Sequence, residues 1–447
     1  PRPPTGMTPA RLKRLRQLLW LYFWLLIFEG ALRKWVLPGL STPLLLVRDP
    51  LALLALWWGL PLLRQRRWQI WLQSLFVIGL IAFLLAFTVG HGDIPTALFG
   101  TRVFLVQLPL IFVYASVFDR TDVIHFAWAL AWASIPMTLL IVVQSNLPPT
   151  HILNISPGGE GTATYSGALS FFRPPGSFSF INGLTLFYTL SASALLSLIY
   201  GTKLSVPRRV FCLLVAVALL VALPVSISRG LLAGYLQVLA AVIAMLALSR
   251  GRFIHVLFGL LGFLVAIGIA TTIPAFQARS EAFVVRWEQA AAIEAGDDAA
   301  LGGGVGVFRN RLLGDYTRAF SNLEKKPLTG YGVGLGTQVG SQRLGEDSRW
   351  LVGESGWENG MGELGLPLGL AFITWRTLLA LWILRLSLRA AAKGSVIPLI
   401  MTGSCFLLVL GGQLGQPTGL GLLVFSAGLT LASCNSGVRL PVRVQAV

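Results

Sequence analysis

Chemistry in this chain has to come from very few residues. Of its 18 acidic side chains, Glu354, Glu358 and Glu363 fall within one stretch, Glu354-Ser-Gly-Trp-Glu-Asn-Gly-Met-Gly-Glu363, directly before an apolar run. A carboxylate can take the proton of an attacking hydroxyl when partial burial lifts its pKa from about 4.3 toward 6–7. The complementary cations are arginines. Arg173 lies in Phe171-Phe-Arg-Pro-Pro-Gly-Ser-Phe178, and Arg229 follows a Ser-x-Ser pair in Ser226-Ile-Ser-Arg-Gly230. Arg309 and Arg311 occupy a long polar segment together with Arg279, Arg286 and Arg318. Arginine keeps its charge and forks onto phosphate oxygens, and a helix that starts behind Ser226-Ile-Ser228 offers backbone N–H groups to an anion. A bland alternative stands beside each assignment. A single arginine near a span end can snorkel to headgroups, and Glu354 can be a loop carboxylate or an arginine's partner.

Other groups point less sharply. His91-Gly-Asp93 could orient a substrate or form an exposed turn, and Asp297-Asp298 resembles half of a metal site without a third ligand. Gly330-Tyr-Gly-Val-Gly-Leu-Gly336 lacks the Lys-Ser/Thr of a nucleotide loop. Glu29 and Arg33, one turn apart, are expected to form a local ion pair, and Arg48-Asp49, inside a proposed span, to pair likewise, either structurally or at the lipid-phosphate site. The three cysteines (Cys212, Cys405, Cys434) fall in or at the end of apolar runs with no metal-ligand spacing and are read as packing residues. No cofactor, metal or nucleotide is expected.

The elements that must carry these residues are membrane helices. Of the 447 residues, 55% are hydrophobic and 12% charged, with a mean hydropathy of +0.73; soluble domains carry about 25% charged residues. Apolar runs near the roughly 20 residues needed to cross a bilayer give about twelve spans, at 17–32, 43–62, 68–90, 103–118, 123–144, 182–200, 209–226, 230–249, 253–274, 363–386, 395–413 and 417–434. The fold class is therefore all-α and polytopic. The net charge of +17 does not imply nucleic acid, because Lys and Arg cluster in alternate connections such as Arg11–Arg16, Arg64–Arg67, Lys203–Arg209 and Arg385–Lys393. That is the positive-inside pattern. It predicts cytoplasmic termini, a Pro/Gly/Ser-rich outer loop at 145–181 and an outer loop of 275–362, while the basic Arg11–Arg16 segment entering an apolar run without an A-x-A site reads as a retained first span. Residues 1–274 thus form nine spans, and 363–447 the last three with a cytoplasmic tail. Within the long loop, Gln277–Ala292 and Phe308–Glu324 carry helical patterns. Trp57-Trp58 fits an interfacial belt.

Five segments resemble the bacterial O-antigen ligases and O-antigen polymerases, integral-membrane glycosyltransferases of the GT-C type. Ser226-Ile-Ser-Arg-Gly-Leu-Leu-Ala-Gly-Tyr-Leu236, Lys325-Lys-Pro-Leu-Thr-Gly-Tyr-Gly-Val-Gly-Leu-Gly336 and the segment from Glu354 to Leu370 stand in that family's order and spacing. Phe172-Arg-Pro-Pro-Gly-Ser-Phe-Ser-Phe-Ile-Asn-Gly183 is similar to a further family segment, and Phe28–Pro38 to the start of members described as exopolysaccharide polymerases. The resemblance implies a polyprenyl-diphosphate-linked glycan donor and a glycan or lipid-linked acceptor. Transfer would occur at the outer face of a bacterial inner membrane, and a chain-length regulator is a partner such an enzyme could have. It assigns Arg229 as the main cation, with Arg173 and Arg309 or Arg311 assisting, and Trp357 where the family often has an aromatic. The ligases usually place a histidine nine positions before a Glu-x-Gly; Glu354 stands there instead, nine before Glu363. That departure favours a polymerase over a ligase. It makes Glu354 the expected base, Glu363 a helix-start charge and Glu358 unassigned. A transporter or flippase for a polar or lipid-linked solute is the rival class, and it predicts broken spans and polar groups near the midplane.

Overall fold

The computed structural model describes residues 7–158, 165–166, 169, 171–248, 274–295, 315–320, 327–344 and 356–435. Their helices are α1 (Pro9–Ala31), α2 (Asp49–Leu63), α3 (Arg66–Thr88), α4 (Ile94–Arg102), α5 (Leu110–Val117), α6 (Arg120–Asn146), α7 (Ile181–Gly201) and α8 (Val206–Ser226). They continue as α9 (Arg229–Leu248), α10 (Pro274–Ala295), α11 (Asp315–Phe320), α12 (Gln338–Leu344), α13 (Gly356–Ala392), α14 (Ile397–Gly411) and α15 (Pro417–Cys434). A two-residue antiparallel pairing, Tyr165–Ser166 with Phe172–Arg173, is the only sheet among the described residues.

Ten of these segments are long and apolar enough to cross a membrane. The protein is an all-helical, multi-pass membrane protein. Two of the expected twelve spans need comment. Residues 253–274 lie outside the described residues. The span expected at 395–413 is the 15-residue α14, closed by Gly411-Gly412; at 1.5 Å per residue it reaches about 22 Å, short of the roughly 30 Å hydrocarbon core. The helical pattern at Gln277–Ala292 is present as α10, and part of Phe308–Glu324 as α11.

Small residues set the packing. In α15 the buried Gly428 lies against Tyr114 of α5, where a Cβ would come within 3.1 Å of the ring. Phe425 stacks on Phe23 of α1 at 4.8 Å and meets Tyr114 and Phe126 edge-on. Helix α15 packs against both α5 and α14. Of the cysteines, Cys212 and Cys405 are buried and Cys434 partly so, all as free thiols. Cys405 Sγ lies 3.4 Å from Thr430 Oγ1.

The two ends of the bundle differ in chemistry. At one, basic groups tie short connections: Arg16 pairs with Asp122 at 3.0 Å, Arg120 donates to Gly201 O, and Arg67 reaches Asn435. Asp119 and Asp122 form a capping box at the start of α6. At the other end lie the glycine-rich segments. Cysteines replacing Gly303 and Ser341, with the native thiols removed, are expected to react with an impermeant thiol reagent in intact cells. Labelling only after permeabilisation would reverse the orientation that the basic clusters predict.

The buried ions pair differently from the sequence expectation. Glu29 keeps Arg33 at 3.9 Å, but its close partner is Arg48 at 2.6 Å. Asp49 pairs with Arg102 of α4, not with Arg48, and also accepts from Gln107 Nε2 at 2.6 Å. Chain neighbours in a helix point apart, so Arg48 and Asp49 reach opposite partners. Tyr22 OH completes the chain on Gln107 Oε1 at 2.8 Å. Glu29, Arg33 and Arg48 are all buried, so removal of one partner would leave a charge uncompensated, which costs several kcal/mol.

Candidate functional site

The site is built on a broken helix. Within α13, Gly365 has φ 75° and ψ 177°, a conformation that is non-helical and open to glycine. The carbonyls of the turn before it turn outward and are taken by the glycine loop. Tyr331 N–H donates to Gly362 O at 2.9 Å, and Gly332 N–H to Glu363 O at 3.1 Å. This contact is backbone against backbone: a Cβ on Gly330 (φ 75°) would lie 2.6 Å from the carbonyl carbon of Leu364. Gly356 crosses Gly411 and Gly412 in the same way, and Gly100 crosses Val333 and Gly334. Gly365→Ala is expected to lower the melting temperature of the purified protein through a backbone strain of about 1–3 kcal/mol plus the clash with Leu328–Gly330. Thermal unfolding of variant against wild type measures it, and an unchanged midpoint would show that the crossing yields freely.

Glu363 sits at this crossing. Its Oε1 accepts the Gly336 N–H at 2.6 Å. The sequence reading placed it at a helix start, but α13 begins at Gly356, so Glu363 lies two turns in and fastens the glycine loop instead. It lines a pocket of about 460 Å³, mouth included, together with Gly336, Thr337, Asn359, Phe372 and Leu414.

The loop is held from its other side by His91 and Asp93. Asp93 N–H donates to His91 Nδ1 at 3.0 Å, so Nε2 carries the proton and donates to Val333 O at 3.2 Å. Asp93 caps α4 through Thr96 N–H at 3.1 Å and takes a two-pronged contact from Arg343 of α12 at 3.0 and 3.1 Å. The Arg343 guanidinium, aided by Thr96, holds the Asp93 carboxyl well below the usual carboxylate range. A depressed pKa contributes stability that is lost only as pH falls through it, so this clasp survives mild acid. His91-Gly-Asp93 therefore clamps the loop.

Trp357 is half-buried. Its Nε1–H donates to Leu410 O at 2.6 Å, and Tyr316 meets its ring edge-on at 4.5 Å. Beneath it, Arg376 of α13 satisfies the C-terminal carbonyls of α14, with Nε on Val409 O at 2.8 Å and Nη2 on Leu408 O and Gly412 O at 3.0 and 2.8 Å. An arginine here suits the negative end of α14.

Arg229 opens α9, half-buried. Ile227 before it has φ 45°, which frees Ser228 to accept the Leu231 N–H at 3.3 Å and to bond Thr185 of α7 at 3.1 Å. The Ser-x-Ser pattern thus marks a helix start, as read, although Ser228 itself takes the Leu231 N–H that the sequence reading left open to an anion. Arg173 lies in the short strand Phe172–Arg173, also half-buried. The two arginine segments meet: Phe171 and Ile227, each two residues from its arginine, pack with Ala282 and Val285 of α10. Arg279 of α10 lies over Phe171 at 5.0 Å and donates to Asn146 Oδ1 at 3.0 Å; burial lowers its pKa. Across the site, Asn182 at the start of α7 donates to Gln416 at 3.2 Å, and Gly415 touches Gly336. The arginine segments, the glycine loop and the first half of α13 therefore converge on one end of the bundle.

The segment carrying Arg173 is fixed from below by the opening motif. Lys34, fully buried, donates to Gly176 O at 2.7 Å and Phe178 O at 2.8 Å. Arg33 donates to Ser179 Oγ at 3.0 Å, Ser177 Oγ to Ile27 O at 2.7 Å, and Gly176 N–H to Gln144 Oε1 at 2.8 Å. Phe28–Pro38 and Phe172–Gly183, read separately in the sequence, are one packed unit.

Glu354, Arg309, Arg311, Asp297 and Asp298 lie outside the described residues. Among the described residues no cluster of three or more His, Cys, Asp or Glu could hold a metal ion. Sequence reasoning missed the fastening roles of Glu363, Lys34 and Arg376. The signal available was a charged residue inside an apolar run, which at membrane depth asks for a partner. No protein-family model matches the chain, and no curated protein matches it significantly.

Proposed function

We propose that this protein is a membrane glycosyltransferase that extends a polyprenyl-diphosphate-linked glycan, as O-antigen or exopolysaccharide polymerases do, at the outer face of a bacterial inner membrane. What supports the reading most is the meeting of the Arg173, Arg229, Gly330–Gly336 and Gly356–Gly365 segments at the end of the bundle opposite the basic clusters. In this reading Arg229 and Arg173, with Arg309 or Arg311, hold the donor diphosphate. Glu354 takes the proton of the acceptor hydroxyl, whose oxygen forms the new bond to the anomeric carbon. The anomeric C–O bond to the diphosphate breaks, and its electron pair leaves on a phosphate oxygen that the arginines stabilise. Ligation of the glycan to a lipid acceptor uses the same groups with another nucleophile.

One observation favours the rival transporter class: the break of α13 at Gly365 within a membrane segment. Its freed carbonyls, however, are taken by the glycine loop and do not line a path. Reconstitution with a defined polyprenyl-diphosphate oligosaccharide, followed by product sizing, separates the readings. A ladder supports the polymerase, a single addition to another acceptor the ligase, and movement without new bonds a flippase.

A further inference from the structure

We infer that Glu363 is an acceptor-binding residue: the glycine-walled pocket beside it seats one sugar ring of the acceptor, and its carboxylate receives a hydrogen bond from a ring hydroxyl. The inference rests on the glycosyl-transfer reading, and the pocket itself supplies the chemistry. Among the described residues Glu363 is the one charged group in its lining, with no Lys, Arg or His. No salt bridge to Glu363 exists among the described residues. The Gly336 N–H, 2.6 Å from Oε1, aims the carboxyl group, and a carboxylate has about four acceptor positions to fill. A carboxyl group so placed is a hydrogen-bond partner for the hydroxyls of a neutral polyol.

The remaining walls fit a sugar ring, which has apolar faces and a hydroxyl-bearing edge. Phe104, Phe372 and Leu414 supply apolar surface, while Thr337 and Asn359 supply polar edges. Gly100, Gly356 and Gly415 bring backbone to the surface where side chains would fill the space. Gly360 lines the pocket too, and among the described residues a Cβ there meets no atom within 4 Å, so a side chain can be introduced at this wall.

The test uses the full chain in lipid nanodiscs, the polyprenyl-diphosphate repeat unit as donor, and the same oligosaccharide freed of its lipid as acceptor. Glu363→Gln keeps an acceptor for the Gly336 N–H, so the loop stays fastened; Gly360→Phe fills the pocket independently. Both are expected to raise the acceptor KM about tenfold or more while donor KM holds and kcat changes little. Saturation-transfer NMR with the free oligosaccharide, and no donor, should show binding to wild type that both variants lose. Unchanged acceptor KM in both variants, no saturation transfer to wild type, or a kcat collapse with acceptor KM intact would each overturn the assignment. A wild-type chain that binds the oligosaccharide in a Glu363-dependent way yet transfers nothing would remove the glycosyltransferase reading and leave the sugar site standing.

Discussion

Glu354→Gln is expected to lower turnover by about 10²–10⁴-fold, the usual cost of losing a general base, with donor binding almost unchanged. Glutamine keeps the shape and most hydrogen bonding of glutamate but cannot take the acceptor's proton. Glu354→His should retain part of the activity, because the ligases the sequence resembles place a histidine there. Glu358→Gln should be mild, and Glu363→Gln should act on acceptor KM, through its place in the pocket. Initial rates against donor and acceptor concentration, at matched membrane expression, separate the three. A Glu354→Gln variant at near wild-type rate beside a dead Glu358→Gln or Glu363→Gln would move the base to another carboxylate.

Arg229→Ala is expected to abolish polymer formation while the protein still inserts, and Arg229→Lys to recover only part of it. The order follows from geometry: lysine offers a point charge where arginine offers a planar fork. Arg229 opens α9 beside the Ser228–Thr185 bond, and Ser228 carries the cap. The substitution therefore tests charge more than folding. Product sizing in membranes, with the amount of inserted protein measured alongside, gives the readout. Full activity in the alanine variant removes Arg229 from the site.

The spans were legible because hydropathy and the placement of Lys and Arg are one-dimensional signals; ten candidate membrane-crossing helices among the described residues match them. The start of α13 was not. Glycines of the Gly356–Gly365 run look like loop in a sequence, yet they are helical up to Gly365, and facing backbone leaves no room for a side chain at Gly356, against Gly411 and Gly412, or at Gly365, against Leu328–Gly330. Partnerships across the chain were also hidden. Arg48 and Asp49 are neighbours whose partners lie on other elements, and Lys34 is held by carbonyls more than a hundred residues away, at Gly176 and Phe178. The segments of the site were readable as motifs, but their mutual contacts depend on packing that no local pattern encodes. Glu354, Arg309 and Arg311 fall outside the described residues, so their assignment rests on the sequence.

The glycine crossings bear on how the chain is made. Asp93 and Arg343 are separated by 250 positions, and Gly336 meets Gly415 only after α14 has been synthesised. Helices α1 to α9 can therefore enter the bilayer in order during translation, but the pocket closes only when the α14–α15 hairpin arrives. Until then the glycine loop, although already bonded to α13, lacks the packing of Gly415 against Gly336. A ribosome stalled before Gly415 would leave a chain with most of its helices inserted and no working site, a form that membrane quality-control proteases would meet before any substrate did.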